Sequence, residues 1–424
     1  MILTEAEEKM LEGKSGQAVR MAMSILTKLG DLYGARKMVQ ITQAHIDGCC
    51  YATVRDAGLE FAEKLASLGA ELRVPTTVNI TARDIEHWEE FRIPPSFVEK
   101  SSRLEKAYLG MGVIPTWTCA PYQWGLVPRF GQQIAWAESN AIVFANSVIG
   151  ARTERYGDFS DICAAITGRA PKFGLHLSKN RRGEVYVRLK KVESALLRDD
   201  SFYPLFGYFL GSAVKDRIPA IEGIPREVSI DQLKSLGAAV ATSGSVALFH
   251  VLGVTPEART YKETFQGGKP EEVIEVTFDE LYKVRESLST TKGDRVDLVA
   301  IGCPHYSFAE FQKVIHLLRG KRIHKGLEFW IFTSRTVFSW LEGTSLIDLL
   351  EASGIRVSTD SCIIHLPLKE WGFKVMMTNS AKFAHYAPST LGLEVVLGST
   401  EECIKSALAG KVVREEMLWK KCWC

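Results

Sequence analysis

RVDLVAIG, residues 295–302, is an apolar run with the length of a buried strand, and the segment SFAEFQKVIHLLRG (307–320) follows it closely. Within the second segment, Ser307 and Glu310 have the S-x-x-E spacing of a helix capping box, and Gly320 suits a helix end. A buried strand followed by a capped helix is the unit from which parallel sheets are built. The two segments therefore predict an α/β fold.

The same alternation of strand and helix continues toward residue 410. Four more apolar runs are predicted strands: LEFWIFTS (327–334), IRVSTDSC (355–362), FKVMMTNS (373–380) and LEVVLGS (393–399). Repeated strand–helix units predict a parallel sheet. Ligands of such sheets bind at the carboxyl ends of the strands, so we expect a functional site near the polar segments GCPH, TSR, TDSC and TNSAK.

The N-terminal part of the chain is less regular. Two helices and two strands are predicted there, at about 5–12, 16–30, 69–79 and 112–119. Residues 134–158 combine helix formers with small polar side chains in an otherwise apolar run. We place a lobe boundary near residue 290, which separates an N-terminal α/β region, 1–290, from a C-terminal α/β lobe, 291–424.

The composition is that of a folded protein with more than one lobe, since the chain has 424 residues, 46% hydrophobic and 24% charged. A formal net charge of +2 gives no reason to expect nucleic acid or a membrane surface as a partner. One uncharged run, 235–256, is long enough to span a bilayer, but its glycines, serines and histidine predict a buried helix. The first residues do not resemble a signal peptide, so we expect a cytoplasmic protein.

Three of the nine cysteines share one context. Cys119, in the stiff apolar stretch GVIPTWTCAPYQWG (112–125), lies at the end of a predicted strand, and so do Cys303 and Cys362. Three such thiolates suit an iron–sulfur cluster that leaves one iron open. The alternatives are unrelated core cysteines, a structural zinc that includes a nearby histidine, and a nucleophilic cysteine.

A second group of polar residues lies in apolar N-terminal segments. AHIDGC (44–49) places His45 and Asp47 beside a glycine turn, where they suit binding of an amine or orientation of a base. VPTTVN (74–79) offers neutral hydrogen-bond donors. The other candidates in this region are Thr76, Thr77, Asn79, Glu138, Ser139, Asn140, Asn146 and Ser147. The alternatives are an ordinary turn and an ordinary strand end.

Cationic residues are candidates for binding an anionic group. In NSAKFAHY (379–386), Ser380 and Lys382 suit a substrate carboxylate at the start of a helix, although a solvated lysine is the alternative. RTERYGD (152–158) and NRRG (180–183) add arginines that suit a carboxylate or a phosphate. Surface ion pairs are the commoner role of such arginines.

Together these segments resemble the aconitase X family, a divergent branch of the aconitase superfamily. The resemblance is carried by AHIDGC, VPTTVN, PTWTCAPYQ, WAESNAIVFANSVIGARTERYGDFSDICAAITGR, GLHLSKNRRG, GCPHYSF and NSAKFAHY. It implies a multi-lobe aconitase-like fold with parallel α/β sheets, and a dehydratase activity. The small swivelling domain of the superfamily has no counterpart in these 424 residues, so we expect it to be absent from this chain.

The resemblance also implies roles for particular residues. The implied ligands of the iron–sulfur cluster are Cys119, Cys303 and Cys362, with [2Fe–2S] ranked ahead of [3Fe–4S] and [4Fe–4S]. Classical aconitase uses a CxxC pair, which this chain lacks. The residues expected to act in catalysis are His45, Asp47 and Ser139. The residues expected to bind the substrate are Thr76, Thr77, Asn79, Glu138, Asn140, Asn146 and Lys382.

Two activities of the family compete. AHIDGC and VPTTVN resemble the branch that removes the 3-hydroxyl and the Cα proton of cis-3-hydroxy-L-proline, which gives Δ1-pyrroline-2-carboxylate. The chain length resembles the large subunit of mevalonate 5-phosphate dehydratase. We favour the first activity, because residues that line a site report on the substrate. An inactive or iron-sensing subunit is the alternative from another class.

No residue of the chain is marked out as the base that removes the Cα proton. His45 is a candidate, but nothing in the sequence activates it. In the superfamily, a serine on the swivelling domain does this work. The sequence therefore predicts a heterodimer in which a separate small subunit supplies the serine and docks on an apolar patch. The other partner is a small hydroxy acid, with neither nucleic acid nor a membrane involved.

Overall fold

The computed structural model describes residues 1–90, 93–415 and 417–419. Contacts within the chain divide it into two compact units. The first unit comprises Met1–Arg182 and Thr255–Glu257, and the second comprises Gly183–Val254 and the chain from Ala258 onward. The lobe boundary expected near residue 290 stays a prediction.

The first unit contains short strands between longer helices. Its helices are α1 (Glu5–Leu11), α2 (Gln17–Leu32), α3 (Tyr51–Ser67), α4 (Pro95–Met111), α5 (Ser139–Phe144) and α6 (Ser160–Thr167). Its strands are β1 (Met38–Gln40), β2 (Ala44–Ile46), β3 (Thr76–Val78), β4 (Ala135–Trp136) and β5 (Arg169–Pro171). The two predicted N-terminal helices are thus confirmed, and Thr4 and Glu7 form a capping box at the start of α1.

Two of the predicted strands are shorter than expected. Of residues 69–79, only Thr76–Val78 form a strand, and residues 112–119 contribute a single parallel bridge between Ile114 and Thr77. Pro75 and Pro115 border these pairings. Proline has no backbone N–H, so it cannot extend a ladder of hydrogen bonds.

A small parallel sheet with the order β3-β2-β4 organises the first unit. Helix α6 packs beside it, and the core there consists largely of alanines, including Ala44, Ala135, Ala164 and Ala165. Small side chains allow the helix to approach the strands closely. β1 and β5 form a separate antiparallel pair.

The second unit contains two parallel sheets. Its strands are β6 (Val185–Leu189), β7 (Pro219–Glu222), β8 (His250–Val251), β9 (Glu272–Val276), β10 (Leu298–Tyr306), β11 (Glu328–Thr333), β12 (Ile355–Ser358), β13 (Val375–Thr378) and β14 (Glu394–Leu397). Its helices are α7 (Ser194–Arg198), α8 (Phe202–Val214), α9 (Ile230–Ser243), α10 (Tyr261–Thr264), α11 (Phe278–Ser287), α12 (Phe308–Leu318), α13 (Arg335–Gly343), α14 (Leu346–Ala352), α15 (Ala381–Thr390) and α16 (Thr400–Ala409).

The larger sheet has the order β12-β11-β10-β13-β14, with all neighbours parallel, which confirms the predicted alternation. The capping box of Ser307 and Glu310 begins α12 as expected. β10 is central, and the chain leaves it first toward β11 and β12 and later toward β13 and β14. Such a reversal of strand order creates a crevice at the carboxyl ends of the two central strands.

The uncharged run 235–256 is helical only in its first part. Helix α9 ends at Ser243, and the chain then continues in extended form to β8. A Cβ atom on Gly244 would lie 2.4 Å from the backbone oxygen of Gly211, so close packing on α8 requires glycine where α9 ends. Within the described residues, the structure contains no helix with the length and apolarity needed to cross a membrane.

Candidate active site

The sheet of the first unit places two rows of side chains next to each other. The strand register aligns His45 with Thr77 and with Trp136 across β3, β2 and β4. Side chains two residues apart on a strand point to the same face. The row beyond the strand ends therefore consists of Asp47, Asn79 and Glu138, which are far from one another in the sequence.

Hydrogen bonds hold this second row together. The side-chain amide of Asn79 donates to the carboxylate of Asp47 and, at 3.3 Å, to Oε2 of Glu138. Asn79 and Glu138 are buried, whereas Asp47 is half-buried. The Oδ1 atom of Asn79 is buried and has no hydrogen-bond partner among the described residues. We use the name acidic row for Asp47, Asn79 and Glu138.

Glu138 also begins helix α5. Its Oε1 atom accepts hydrogen bonds from the side-chain amide of Asn140 at 2.6 Å and from the hydroxyl of Ser139 at 3.2 Å. The Tyr122 hydroxyl donates to Oδ1 of Asn140 at 3.0 Å. The structure thus brings together Asp47, Asn79, Glu138, Ser139 and Asn140, five of the residues that the sequence nominated for the site.

Two further acids adjoin the acidic row. Asp161, on α6, accepts hydrogen bonds from the backbone N–H groups of Asp47 at 2.7 Å and Ile162 at 2.6 Å. Burial raises the pKa of Asp161 to about 7, although these backbone donors oppose the shift. Desolvation, together with Glu138 and the exposed Asp158, holds the pKa of Asp47 well above its usual range. A cation bound here would stabilise the ionised forms of these acids.

His45 is neutral at physiological pH. Burial lowers its pKa to about 3, and the attraction of Glu138 offsets only part of this shift. Its Nδ1 atom lies 2.8 Å from the hydroxyl of Thr77. Its Nε2 atom is buried and makes no hydrogen bond within the described part of the chain. A neutral ring with one unused nitrogen suits hydrogen bonding to a polar ligand.

The loop that carries Cys119 is hydrogen-bonded to β3. The Thr116 hydroxyl donates to the backbone oxygen of Val78 at 2.9 Å, and the backbone N–H of Thr118 donates to the same oxygen at 3.2 Å. Trp117 between them is buried and has a left-handed φ of 40°, which is strained for a large side chain. These contacts place Cys119 at the edge of the sheet where the acidic row lies.

In the second unit, Cys303 and Cys362 lie on neighbouring segments. The ladder between β10 and β11 is interrupted between Ile301 and Tyr306, so Cys303 lies in an irregular stretch within β10, which we call the loop of Cys303. Cys362 follows β12 and precedes a short 3₁₀ helix. The Nε2 atom of His305 lies 3.0 Å from the backbone oxygen of Ser361, which joins the two loops.

The loop of Cys303 depends on one glycine. Gly302 has φ of +104°, and a Cβ atom there would lie 2.3 Å from the backbone oxygen of Phe332. The loop of Cys362 is held by Arg335, whose Nε donates to Oδ1 of the buried Asp360 at 2.7 Å. Both loops are therefore built by specific contacts, and neither is a plain continuation of its strand.

Exposure separates the cysteines into two groups. Among those in the described part of the chain, Cys119, Cys303 and Cys362 are half-buried, and the fully buried ones are Cys49, Cys50, Cys163 and Cys403. Burial raises the pKa of Cys50 to about 12 and also raises the pKa values of the other buried thiols. Fully buried thiols with raised pKa values are chemically inert. Among the described cysteines, the accessible donors are the three predicted ligands, whose chemistry fits an iron–sulfur cluster.

Convergence of the three sulfurs stays a prediction. Cys119 belongs to the first unit, whereas Cys303 and Cys362 belong to the second. Across residues 1–90, 93–415 and 417–419, no three histidine, cysteine or carboxylate side chains are grouped so as to hold a metal ion. Cys422 and Cys424 lie outside the described residues.

Other nominated residues have different surroundings. The Thr76 hydroxyl donates to the backbone oxygen of Val74 at 2.8 Å. The Asn146 side-chain amide donates to the backbone oxygen of Thr153 at 3.0 Å. Lys382 is half-buried in the first turn of α15, in the second unit. Its role in binding a carboxylate stays a prediction.

One arginine of the arginine-rich segments has a structural role. Arg181 is buried, and its guanidinium donates to Glu257 at 2.7 Å and to Asn146 Oδ1 at 2.9 Å. It therefore fastens the segment Thr255–Glu257 to the first unit. Sequence reasoning missed this contact, and it also missed Asp161 and Tyr122, although both lie within segments that carry the family resemblance.

Comparison with known proteins assigns the chain to a family. The models of the aconitase X first, second and third domains match residues 1–179, 183–286 and 296–409. The chain is 42% identical over 408 residues to the cis-3-hydroxy-L-proline dehydratase of Pseudomonas aeruginosa, with 96% of this chain and 70% of that protein covered. It is 39% identical over 407 residues to the phosphomevalonate dehydratase large subunit of Methanocaldococcus jannaschii, with 96% and 100% covered.

The fold leads to the same assignment. The crystal structure of the holo-form of Thermococcus kodakaraensis aconitase X matches with a TM-score of 0.87 at 37% identity, and the match covers 96% of this chain and 100% of that one. The aconitase-like α/β fold expected from the resemblance is thereby confirmed. Aconitase-type proteins as a class use an iron–sulfur cluster, for which the accessible thiols described above are suitable donors. Because domain models follow one another along the sequence and the fold agrees over nearly its whole length, this chain belongs to the aconitase X family.

Proposed function

We propose that this chain is the catalytic chain of an iron–sulfur dehydratase that removes water from cis-3-hydroxy-L-proline and gives Δ1-pyrroline-2-carboxylate. The observation that supports this substrate is the acidic row, with Asp161 and Asp158 beside it. The substrate carries a ring ammonium, whose positive charge would stabilise these desolvated acids. A phosphorylated substrate would bring negative charge to the same acids, which would oppose its binding.

In this proposal, the residues of the acidic row bind and orient the substrate ring. Asp47 and Glu138 accept hydrogen bonds from the ring ammonium, and Asn79 keeps the two carboxylates at a fixed spacing. His45, neutral and held by Thr77, offers its Nε2 atom to a polar group of the substrate. Lys382 binds the substrate carboxylate. The reaction breaks the C3–O bond and the Cα–H bond, and the enamine product then tautomerises to the ring imine.

Cys119, Cys303 and Cys362 are the proposed ligands of the cluster, and [2Fe–2S] is the proposed type. When bound, the cluster supplies a Lewis acid that assists departure of the 3-hydroxyl. Thiolate ligands require a reducing compartment, which agrees with the proposed cytoplasmic location.

The proposal includes a small partner subunit that supplies a serine to remove the Cα proton. It is supported by the match to the M. jannaschii protein, which is named a large subunit and is covered along 100% of its length. His45, the other candidate base, is held as a neutral ring whose pKa of about 3 makes it a weak base.

A second candidate is the activity named for that archaeal relative, dehydration of phosphomevalonate. It is favoured by the coverage of the two relatives, since the chain spans 70% of the P. aeruginosa dehydratase and 100% of the M. jannaschii large subunit. Identity does not separate the two, because 42% and 39% are nearly equal.

One experiment compares the candidates. The chain is reconstituted anaerobically with iron and sulfide, mixed with the part of the P. aeruginosa dehydratase that lies outside the match, and assayed with both substrates. We expect turnover of cis-3-hydroxy-L-proline. Turnover of mevalonate 5-phosphate alone would favour the second candidate, and a bound cluster with turnover of neither substrate would favour an inactive or iron-sensing subunit.

A further inference from the structure

A buried cation, which is not one of the residues proposed to bind substrate, lies in the second unit. Lys234, on α9, has a side chain that is 2% exposed. Its ammonium lies 2.9 Å from Asp231 and forms a second ion pair with Glu310. Lysine is almost never buried this completely without a specific arrangement of partners.

The same ammonium contacts the loop of Cys303. It donates a hydrogen bond to the backbone oxygen of His305 at 3.3 Å. The imidazole of His305 in turn contacts the backbone oxygen of Ser361 at 3.0 Å. Cys303 lies two residues before His305, and Cys362 follows Ser361 directly. A chain of polar contacts therefore joins one buried cation to both cysteine loops of this unit.

The two acids are themselves tied to the end of the Cys303 loop. Oε2 of Glu310 accepts the backbone N–H of Ser307 at 2.8 Å, and the Ser307 hydroxyl donates to Asp231 at 2.7 Å. Lys234 thus neutralises the two carboxylates that hold Ser307, and it holds the backbone of His305 itself. Without the ammonium, the half-buried carboxylates of Asp231 and Glu310 would repel each other across this loop.

We infer that Lys234 is a positioning residue for the iron–sulfur cluster, because it fixes the loop of Cys303 directly and the loop of Cys362 through His305. The inference rests on the proposed function, in that it takes Cys303 and Cys362 as ligands. Groups that orient metal ligands from the next layer typically contribute roughly 10- to 100-fold to metal retention. Lys234 acts on the ligands and does not touch the substrate.

The test uses the full-length chain, reconstituted with iron and sulfide, without substrate. In Lys234→Met, we expect the cluster to be lost to an iron chelator about 10-fold faster than in the parent chain. We also expect altered visible circular dichroism, which reports the geometry of the cluster ligands. Lys313→Met is the matched control, because Lys313, on α12, pairs with Asp200 and has a side chain that is 43% exposed. That control should retain both the half-life and the spectrum.

A second variant separates folding from positioning. Lys234→Met with Glu310→Gln removes one uncompensated carboxylate and should recover the unfolding midpoint of the cluster-free chain, but not cluster retention. If this double variant held its cluster with the parental half-life and spectrum, the inference would be wrong. If the parent chain took up no cluster, the proposed cofactor and this inference would both be wrong. A parent chain that binds a cluster but dehydrates another substrate supports the inference and overturns only the proposed substrate.

Discussion

The Nδ1 atom of His45 lies 2.8 Å from the hydroxyl of Thr77, so a ring and a hydroxyl on adjacent parallel strands form one hydrogen-bonded pair beside the acidic row. Because burial lowers the pKa of His45 to about 3, we predict that the ring stays neutral from about pH 5 to 8. The ¹⁵N chemical shifts of His45 should be flat across this range. In urea, the ring of the unfolded chain should titrate with a pKa of about 6.5. A midpoint near that value in the folded chain would contradict the prediction.

The stability of the chain should depend on pH through Asp161. Burial raises the pKa of Asp161 in the folded chain from 3.8 to about 7. Its contribution to stability is therefore complete when the pH is below the pKa of the unfolded chain, and it is lost as the pH rises toward 7. The loss amounts to at most about 4 kcal/mol. Asp161→Asn should therefore flatten the pH dependence of the free energy of unfolding between about pH 4 and 7, measured by urea titration.

Asp56→Asn is the control for this measurement. Asp56 is exposed, and a hydrogen bond from Lys100 lowers its pKa, so its effect has the opposite sign and is screened by solvent. An Asp161→Asn chain with the parental pH profile would show that Asp161 is not the group responsible.

The acidic row should determine which substrate the enzyme accepts. Glu138→Gln and Asp47→Asn each remove a charged acceptor for the ring ammonium, and we expect kcat/KM for cis-3-hydroxy-L-proline to fall roughly 10- to 100-fold. Glu63→Gln, which alters an exposed ion pair with Arg103, should leave kcat/KM unchanged. An unchanged kcat/KM in both variants of the acidic row would remove the main support for an ammonium substrate.

Each proposed cluster ligand should be indispensable. Cys119→Ser, Cys303→Ser or Cys362→Ser should abolish the visible absorbance of the reconstituted protein, because each removes one thiolate from a shared inorganic core. Cys403→Ser is the control, since Cys403 is a buried thiol in the core of the second unit. We expect Cys422→Ser and Cys424→Ser to be tolerated as well. Full absorbance after substitution of any of the three ligands would show that its assignment is wrong.

Activity should require a second chain. The isolated chain should bind a cluster yet turn over roughly 10²- to 10⁴-fold more slowly than the chain mixed with its small partner, because a positioned base contributes about that much. Steady-state assays with increasing partner would measure the difference. Full activity without any partner would instead assign the base to a residue of this chain, of which His45 is the first candidate.

The strand–helix alternation of residues 295–410 could be predicted from the sequence alone. Apolar runs, the Ser307–Glu310 capping box and helix-ending glycines act over short distances, so each is visible in a few neighbouring residues. The three cysteines were distinguished in the same way, by what precedes each of them. By contrast, the end of α9 at Ser243 depends on how closely Gly244 approaches Gly211, and that distance exists only after α8 and α9 have packed.

The chemistry of the site was determined mainly by tertiary structure. The sequence nominated Asp47, Asn79 and Glu138 separately, but only the parallel register of β3, β2 and β4 aligns them in one row. The same packing buries His45 and Asp161, which moves one pKa down and the other up, because a charged group loses its hydration in a protein interior. The burial of Lys234 could not be predicted locally, since its ion pair with Glu310 joins residues that are distant in sequence and meet only in the folded unit.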